Sequence, residues 1–124
     1  MRQYRLIPIL NIKINEEMNI GFIGTGKISS SVVEAICTSK LTDYRIFLSP
    51  RNRERSVALE NKYGPVKRMT SNQEVLDRSL IVFFALKPDV YKDIISDLEF
   101  RNDHIVASLI PYMIYHFTRQ HLEA

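Results

Sequence analysis

The chain has 124 residues, of which 45% are hydrophobic and 25% charged, with a formal net charge of +3. That length and balance suit one globular domain with its own core. They exclude an internal disulfide, because Cys37 is the single cysteine, and a helical membrane span, because no apolar run approaches the ~20 residues required.

The mild positive excess suits an anionic small ligand and does not demand nucleic acid. A lone cysteine reads as a small apolar filler, and a reducing cytoplasm is the expected compartment. Residues 1 to 17, MRQYRLIPILNIKINEE, come first. The apolar stretch Leu6 to Leu10 follows Arg2 and Arg5 but is too short for the apolar region of a signal peptide. The imperfect alternation from Ile9 to Ile14 predicts an edge strand or a disordered arm. We therefore read residues 1 to 17 as an extension, and 18 to 124 as a single domain that starts at Met18.

The stretch Asn19 to Ile36, NIGFIGTGKISSSVVEAI, organises this domain. Ile20, Phe22 and Ile23 form a short apolar run that reads as a buried strand. Gly24 and Gly26 come next, and then Ile28, Val32, Ala35 and Ile36 recur at helical spacing. Strand, glycine turn and helix are the opening of a dinucleotide-binding βαβ unit. Gly24 permits a tight turn, and Gly26 lets the backbone lie against a pyrophosphate. The helix then offers unpaired N–H groups and the positive end of its dipole to that anion. The third glycine position holds Ser29, which tolerates fairly close helix–strand packing and whose hydroxyl could donate to a phosphate.

The pattern then predicts a helix over 27–39, a strand over 45–49, and a helix over 53–63 capped by Asn52 and stopped at Gly64-Pro65. A short strand follows over 66–69. A brief helix over 72–77 is capped by Ser71, with Glu74 placed as in a capping box. Leu80 to Leu86, LIVFFAL, reads as a central parallel strand covered on both faces. Pro88 opens a helix with apolar positions Val90, Tyr91, Ile94, Ile95 and Leu98. A last strand over 104–109 precedes Pro111, and the tail after it shows no period. Alternating strands and helices predict an α/β fold, a doubly wound parallel sheet of Rossmann-like type.

The end of the second strand of this unit chooses between the nicotinamide cofactors in such folds, because an acid there accepts from the ribose 2′-hydroxyl and repels a 2′-phosphate. That position is Ser49, 25 residues after Gly24, and no Asp or Glu stands beside it. Arg51, Arg53 and Arg55 follow instead, and arginine forks suit phosphate oxygens. Arg51 is the leading candidate, Arg53 the next, and Arg55 is read as surface. His116 and His121 have no acidic partner at ligand spacing, so no metal site is expected. Ser29 to Ser31 form no nucleophile elbow, and Lys87 is read as a solvated lysine before a helix-starting proline.

Taken together, MNIGFIGTGKISSSVVEAI, FLSPRNRER, VFFALKPDVY and IVASLI resemble the amino-terminal domain of the pyrroline-5-carboxylate reductase family, from Met18 to about Ile110. Its pattern has a G-x-G-x-M turn, an S-x-R turn and a V-K-P, met here by Gly24, Gly26 and Ile28, by Ser49 and Arg51, and by Leu86, Lys87 and Pro88. Lys27 stands where the family usually has Asn, and Ile28 where it usually has Met. F420-dependent NADP reductases share the first motif and part of the rest. The resemblance implies reduction of 1-pyrroline-5-carboxylate to L-proline with NADPH, or with NADH, in proline biosynthesis. It also implies cofactor contacts at Gly24, Gly26, Lys27, Ile28, Ser49, Arg51, Ala85, Lys87 and Pro88, with the last three nearer the nicotinamide. No catalytic acid or base is assigned.

Family members continue into a helical, dimer-forming domain, so this chain is expected to be a truncated form that binds cofactor with negligible turnover. The alternatives are a non-catalytic NADP-binding module and an F420-dependent NADP reductase-like domain. Expected partners are a small imino acid, in a complete enzyme, and a second copy of the chain, met through Ile110, Tyr112, Ile114 and Phe117. Because the predicted core starts at Asn19, a version beginning at Met18 should keep the thermal midpoint of the full chain. A large drop would show that Ile7 to Ile14 packs as a core strand.

Overall fold

The computed structural model describes residues 6–7, 12–13 and 17–109. Leu6–Ile7 (β1) and Ile12–Lys13 (β2) pair antiparallel with each other in a two-stranded sheet separate from the main one. The arm is thus not an edge strand of the main sheet at those positions. Everything after Leu109, including the tail residues expected to mediate self-association and both tail histidines, lies outside the described residues.

The main sheet contains Met18–Ile23 (β3), Tyr44–Leu48 (β4), Val66–Arg68 (β5), Ile81–Phe84 (β6) and Ile105–Ser108 (β7). Its order is β5-β4-β3-β6-β7, and every pairing is parallel. The helices are Lys27–Thr38 (α1), Arg53–Lys62 (α2), Asn72–Arg78 (α3) and Pro88–Ser96 (α4). Strand order reverses at β3. The loops after β3 and β6 therefore diverge and leave a crevice at the carboxyl end of the sheet.

Period-two alternation on the strands separates two cores. Ile20, Phe22, Ile46, Leu48 and Val66 face one side, where Val33 of α1 and Leu59 of α2 cover them. Ile23, Phe47, Val82 and Phe84 face the other, under Val75 and Leu76 of α3 and Tyr91 and Ile95 of α4. Full burial of a side chain such as Phe22 or Phe84 contributes roughly 1.5–3 kcal/mol. The doubly wound sheet expected from the sequence is the one observed.

Several local expectations shift. Ile28 is 52% exposed and Ala35 is also exposed. The buried stripe of α1 instead runs through Ser29 and Val33, flanked by half-buried Val32, Ile36 and Cys37. Burial raises the pKa of the Cys37 thiol, and its hydrogen bond with Tyr44 acts against that shift. At α3, Ser71 Oγ accepts from the Glu74 N–H at 3.1 Å, as the capping reading requires. Glu74, however, accepts from the N–H and hydroxyl of Thr70, one residue before the cap, at 2.9 and 3.2 Å. On β6 the expected double cover is partial, for Phe83 is only half-buried. It stacks on Phe22 with centroids 5.1 Å apart. The helices α1 and α2 lie over β3, β4 and β5 on that face, and no helix after β7 covers it among the described residues.

Arg101, which the sequence did not single out, closes the opposite end of the molecule. Its guanidinium donates to the carbonyls of Leu76 at 3.3 Å, Asp77 at 3.0 Å and Ser79 at 2.9 Å, the last turn of α3 and the residue after it. A cation there also complements the helix dipole. His104 adds a 2.8 Å hydrogen bond to the Leu76 carbonyl while its Nδ1 accepts from the Arg101 N–H at 2.9 Å. Replacing Arg101 with Ala should lower unfolding free energy by about 1–2 kcal/mol, a charged hydrogen bond discounted for partial exposure. Urea denaturation measures it, and an unchanged midpoint would show that water replaces the guanidinium without loss.

Candidate functional site

Three loops meet at the carboxyl end of the sheet, and their junction is built around Gly24. This residue has φ +96, a conformation that side chains disfavour, and a Cβ on it would come within 2.5 Å of the Ala85 carbonyl oxygen. Glycine thus lets the turn after β3 abut the end of β6, where the Ala85 N–H donates to the Ile23 carbonyl at 3.0 Å. The Gly24 N–H donates to Ser49 Oγ at 2.9 Å, and the Thr25 hydroxyl reaches the Ser49 carbonyl at 3.4 Å. Ser29 Oγ donates to the Gly24 carbonyl from beneath.

These contacts change two expectations. Ser29 is fully buried and its hydroxyl is committed to the turn, so it is not available to a phosphate. Its small size permits close packing, as expected, and its hydrogen bond fixes the glycine turn to α1. Ser49 is fully buried too. Its hydroxyl ties the loop after β4 to the loop after β3 and is directed to Gly24, not to open space.

Gly26 behaves differently from Gly24. A Cβ at Gly26 would meet nothing within 4 Å. Gly26 is the N-cap of α1 and supplies no side-chain cap, and the first turn of that helix carries no acidic residue. The protein itself therefore does not require glycine there, and the free space lies over an uncapped helix start.

A cleft of about 420 Å³ opens between the loops, within the size range of small-molecule sites. Gly24, Gly26, Arg51, Ala85 and Lys87, all singled out from the sequence, line it. Lys27 and Ile28 are exposed at the start of α1 outside its wall, and Pro88 occupies the first turn of α4. Thr25, Asn52, Leu86, Asp89 and Val90 also line it. The sequence signal for Asn52 was its capping position, and for Asp89 its place in the first turn of α4.

Asn52 holds a left-handed conformation, φ 57, and its side chain accepts from the Arg55 N–H at 3.4 Å. This presents Arg51 to the cleft just before α2 begins. Sequence reasoning missed Arg68. Its Nε donates to Ser56 Oγ at 3.0 Å and its Nη2 to the Pro50 carbonyl at 3.1 Å. A signal existed, since Arg68 ends a parallel strand on the side where loops carry function.

The two glycines predict opposite outcomes on substitution by Ala. Gly24→Ala should cost about 1–3 kcal/mol in a urea titration through strain and overlap. Gly26→Ala should leave stability within about 1 kcal/mol of the parent yet weaken dinucleotide binding roughly tenfold or more by filling the cleft. Equal dinucleotide affinity for Gly26→Ala and the parent would show that no ligand uses that space.

Comparison with known proteins places this architecture. The model of the family described as NADP oxidoreductase, coenzyme F420-dependent, matches residues 19–112. ComE operon protein 4 of Bacillus subtilis (strain 168) is 30% identical over 95 residues, which cover 74% of this chain and 35% of that protein. Pyrroline-5-carboxylate reductase of Pisum sativum is 32% identical over 95 residues, 76% of this chain and 33% of that protein. The solved 1-pyrroline-5-carboxylate reductase of Streptococcus pyogenes shares the fold with a TM-score of 0.60 at 22% identity, over 75% of this chain and 34% of that one. The chain thus spans about a third of the length of these curated relatives. It belongs to the family described as NADP oxidoreductase, coenzyme F420-dependent, and within it stands with the amino-terminal, nucleotide-binding domains of the pyrroline-5-carboxylate reductases.

Proposed function

We propose that this chain forms the cofactor side of a cytoplasmic enzyme that reduces the C=N bond of 1-pyrroline-5-carboxylate to L-proline, with NADPH preferred over NADH. Relatives bearing the name pyrroline-5-carboxylate reductase at 28–32% identity support the substrate. The observation that carries the cofactor reading is the loop after β4. It brings Arg51 to the cleft and no carboxylate, while the small Ser49 at the ribose position is buried.

The residues present fit a dinucleotide. The open space over Gly26 accepts a group that a Cβ would exclude. The N–H groups at the start of α1 would hold the pyrophosphate. Arg51 would take the 2′-phosphate with a forked guanidinium, and the Ala85 to Lys87 backbone would face the nicotinamide end. Bound NADPH supplies a hydride for the imine carbon. The chain's own part is to bind and orient, with the apolar Leu86 and Val90 among the residues that line the cleft.

A second reading is nucleotide binding without turnover. It is favoured by the nature of the cleft wall, where Arg51, Lys87 and Asp89 are the only ionisable side chains among the described residues. None of them is assigned to protonate an imine.

Calorimetric titration tests the cofactor assignment. Arg51→Ala should weaken NADPH by roughly 1.5–3 kcal/mol, the range for hydrogen bonds to charged groups, and leave NADH nearly unchanged. Equal losses for the two cofactors would remove Arg51 from the 2′-phosphate. NADPH oxidation measured with pyrroline-5-carboxylate separates the two readings. Turnover near ~10 s⁻¹ would show an enzyme complete in this chain, and binding without turnover would favour the module.

A further inference from the structure

Arg51 reaches the cleft on a four-residue turn, Ser49 to Asn52, that has no regular secondary structure. A long side chain on such a turn loses rotamer and backbone freedom when it grips an anion, and that cost is lower if the turn is held beforehand. The start of this turn is held by Ser49, whose Oγ accepts from the Gly24 N–H at 2.9 Å. Asn52 closes its end by capping α2. Between them, Pro50 offers no N–H, so its carbonyl is its only backbone hydrogen-bonding group.

That carbonyl accepts from Arg68 Nη2 at 3.1 Å, while Arg68 Nε donates to Ser56 Oγ at 3.0 Å. Ser56 is fully buried on α2, and its hydroxyl also reaches the Asn52 carbonyl at 3.2 Å. The Arg68 backbone is itself held, its N–H donating to Glu60 Oε2 at 2.8 Å. One planar fork therefore joins the end of β5, the peptide immediately before Arg51, and the second turn of α2. Lysine could not reproduce this, since its ammonium is a single point and lacks two donors in fixed relation.

We propose that Arg68 is a positioning residue for cofactor selection: it fixes the Pro50–Arg51 peptide so that the Arg51 guanidinium is preset for the 2′-phosphate of NADPH. The inference rests on the nucleotide reading given above. Arg68 itself does not line the cleft; it acts through Arg51. The ligand chemistry it serves is a phosphate monoester on the ribose, which NADH lacks.

The test is a mutant cycle read by calorimetry with NADPH and with NADH, on the parent, Arg51→Ala, Arg68→Lys and the Arg51→Ala/Arg68→Lys pair, with thermal midpoints recorded beside it. Arg68→Lys should weaken NADPH about three- to tenfold, the worth of roughly one hydrogen bond, and leave NADH unchanged. Added to Arg51→Ala, it should produce no further loss, because the group it positions is gone. Ser56→Ala is a milder variant that removes only one support of the fork and should shift the NADPH-to-NADH ratio in the same direction. If Arg68→Lys folds poorly, this variant decides the matter. Equal losses for both cofactors, or a further NADPH loss in the Arg51→Ala background, would make Arg68 a merely structural residue and overturn the inference. If the parent binds the two cofactors equally, or Arg51→Ala affects them equally, Arg51 is not the 2′-phosphate ligand and this inference fails while the nucleotide site stands. If neither cofactor binds, the nucleotide reading itself has failed, and this inference with it.

Discussion

The close approach of Gly24 to the Ala85 carbonyl is the constraint on which the site depends. It sets the turn after β3 against the end of β6, at the base of the crevice where strand order reverses. Any side chain at Gly24 would push them apart. Once the backbones are that close, the Gly24 peptide must find partners away from water, because buried N–H and C=O groups are costly to leave unpaired. Ser49 supplies the acceptor and Ser29 the donor. A single residue's backbone thereby links β3, the loop after β4, and α1.

This arrangement divides the polar groups of the region into two sets. Ser29 and Ser49 are turned inward and bonded within the protein, and Thr25, at the cleft wall, is bonded to Ser49. The free volume at Gly26, the uncapped start of α1 and the Arg51 and Lys87 side chains belong to the cleft. The inward set ties together the backbone from which the outward set projects. It is also why polar residues of the fingerprint have different roles: a serine buried under a turn holds backbone, whereas an arginine on its rim can meet solvent or an anion.

Charge at α2 follows the same division. Arg53 and Arg55 sit in the first turn, where the helix dipole disfavours cations. Glu54 in that turn and the Asn52 cap offset part of that cost. Arg68 enters the region from β5, and its fork is used on Pro50 and Ser56. Arg51, just outside the helix, is the arginine of this group that reaches the cleft wall.

Local sequence was enough for the alternation of strands and helices, the parallel sheet, the caps at Asn52 and Ser71, and the glycine turn, because each depends on periodicity or on conformations set by one or two residues. The motif spacing also pointed to Gly24, Gly26 and Arg51, and the family resemblance to Ala85 and Lys87, since the loops of such a sheet share one end. Packing settled the rest. The buried stripe of α1 runs through Ser29 and Val33 and leaves Ile28 out, because the turn at Gly24 sets how the helix is rotated over the sheet. Ser29 and Ser49 became internal struts, and Arg68 and Arg101 became clasps on carbonyls 18 to 25 residues away. Which hydroxyl or guanidinium meets which backbone group across such separations is fixed only when strands and helices pack, and no local pattern in the chain encodes it.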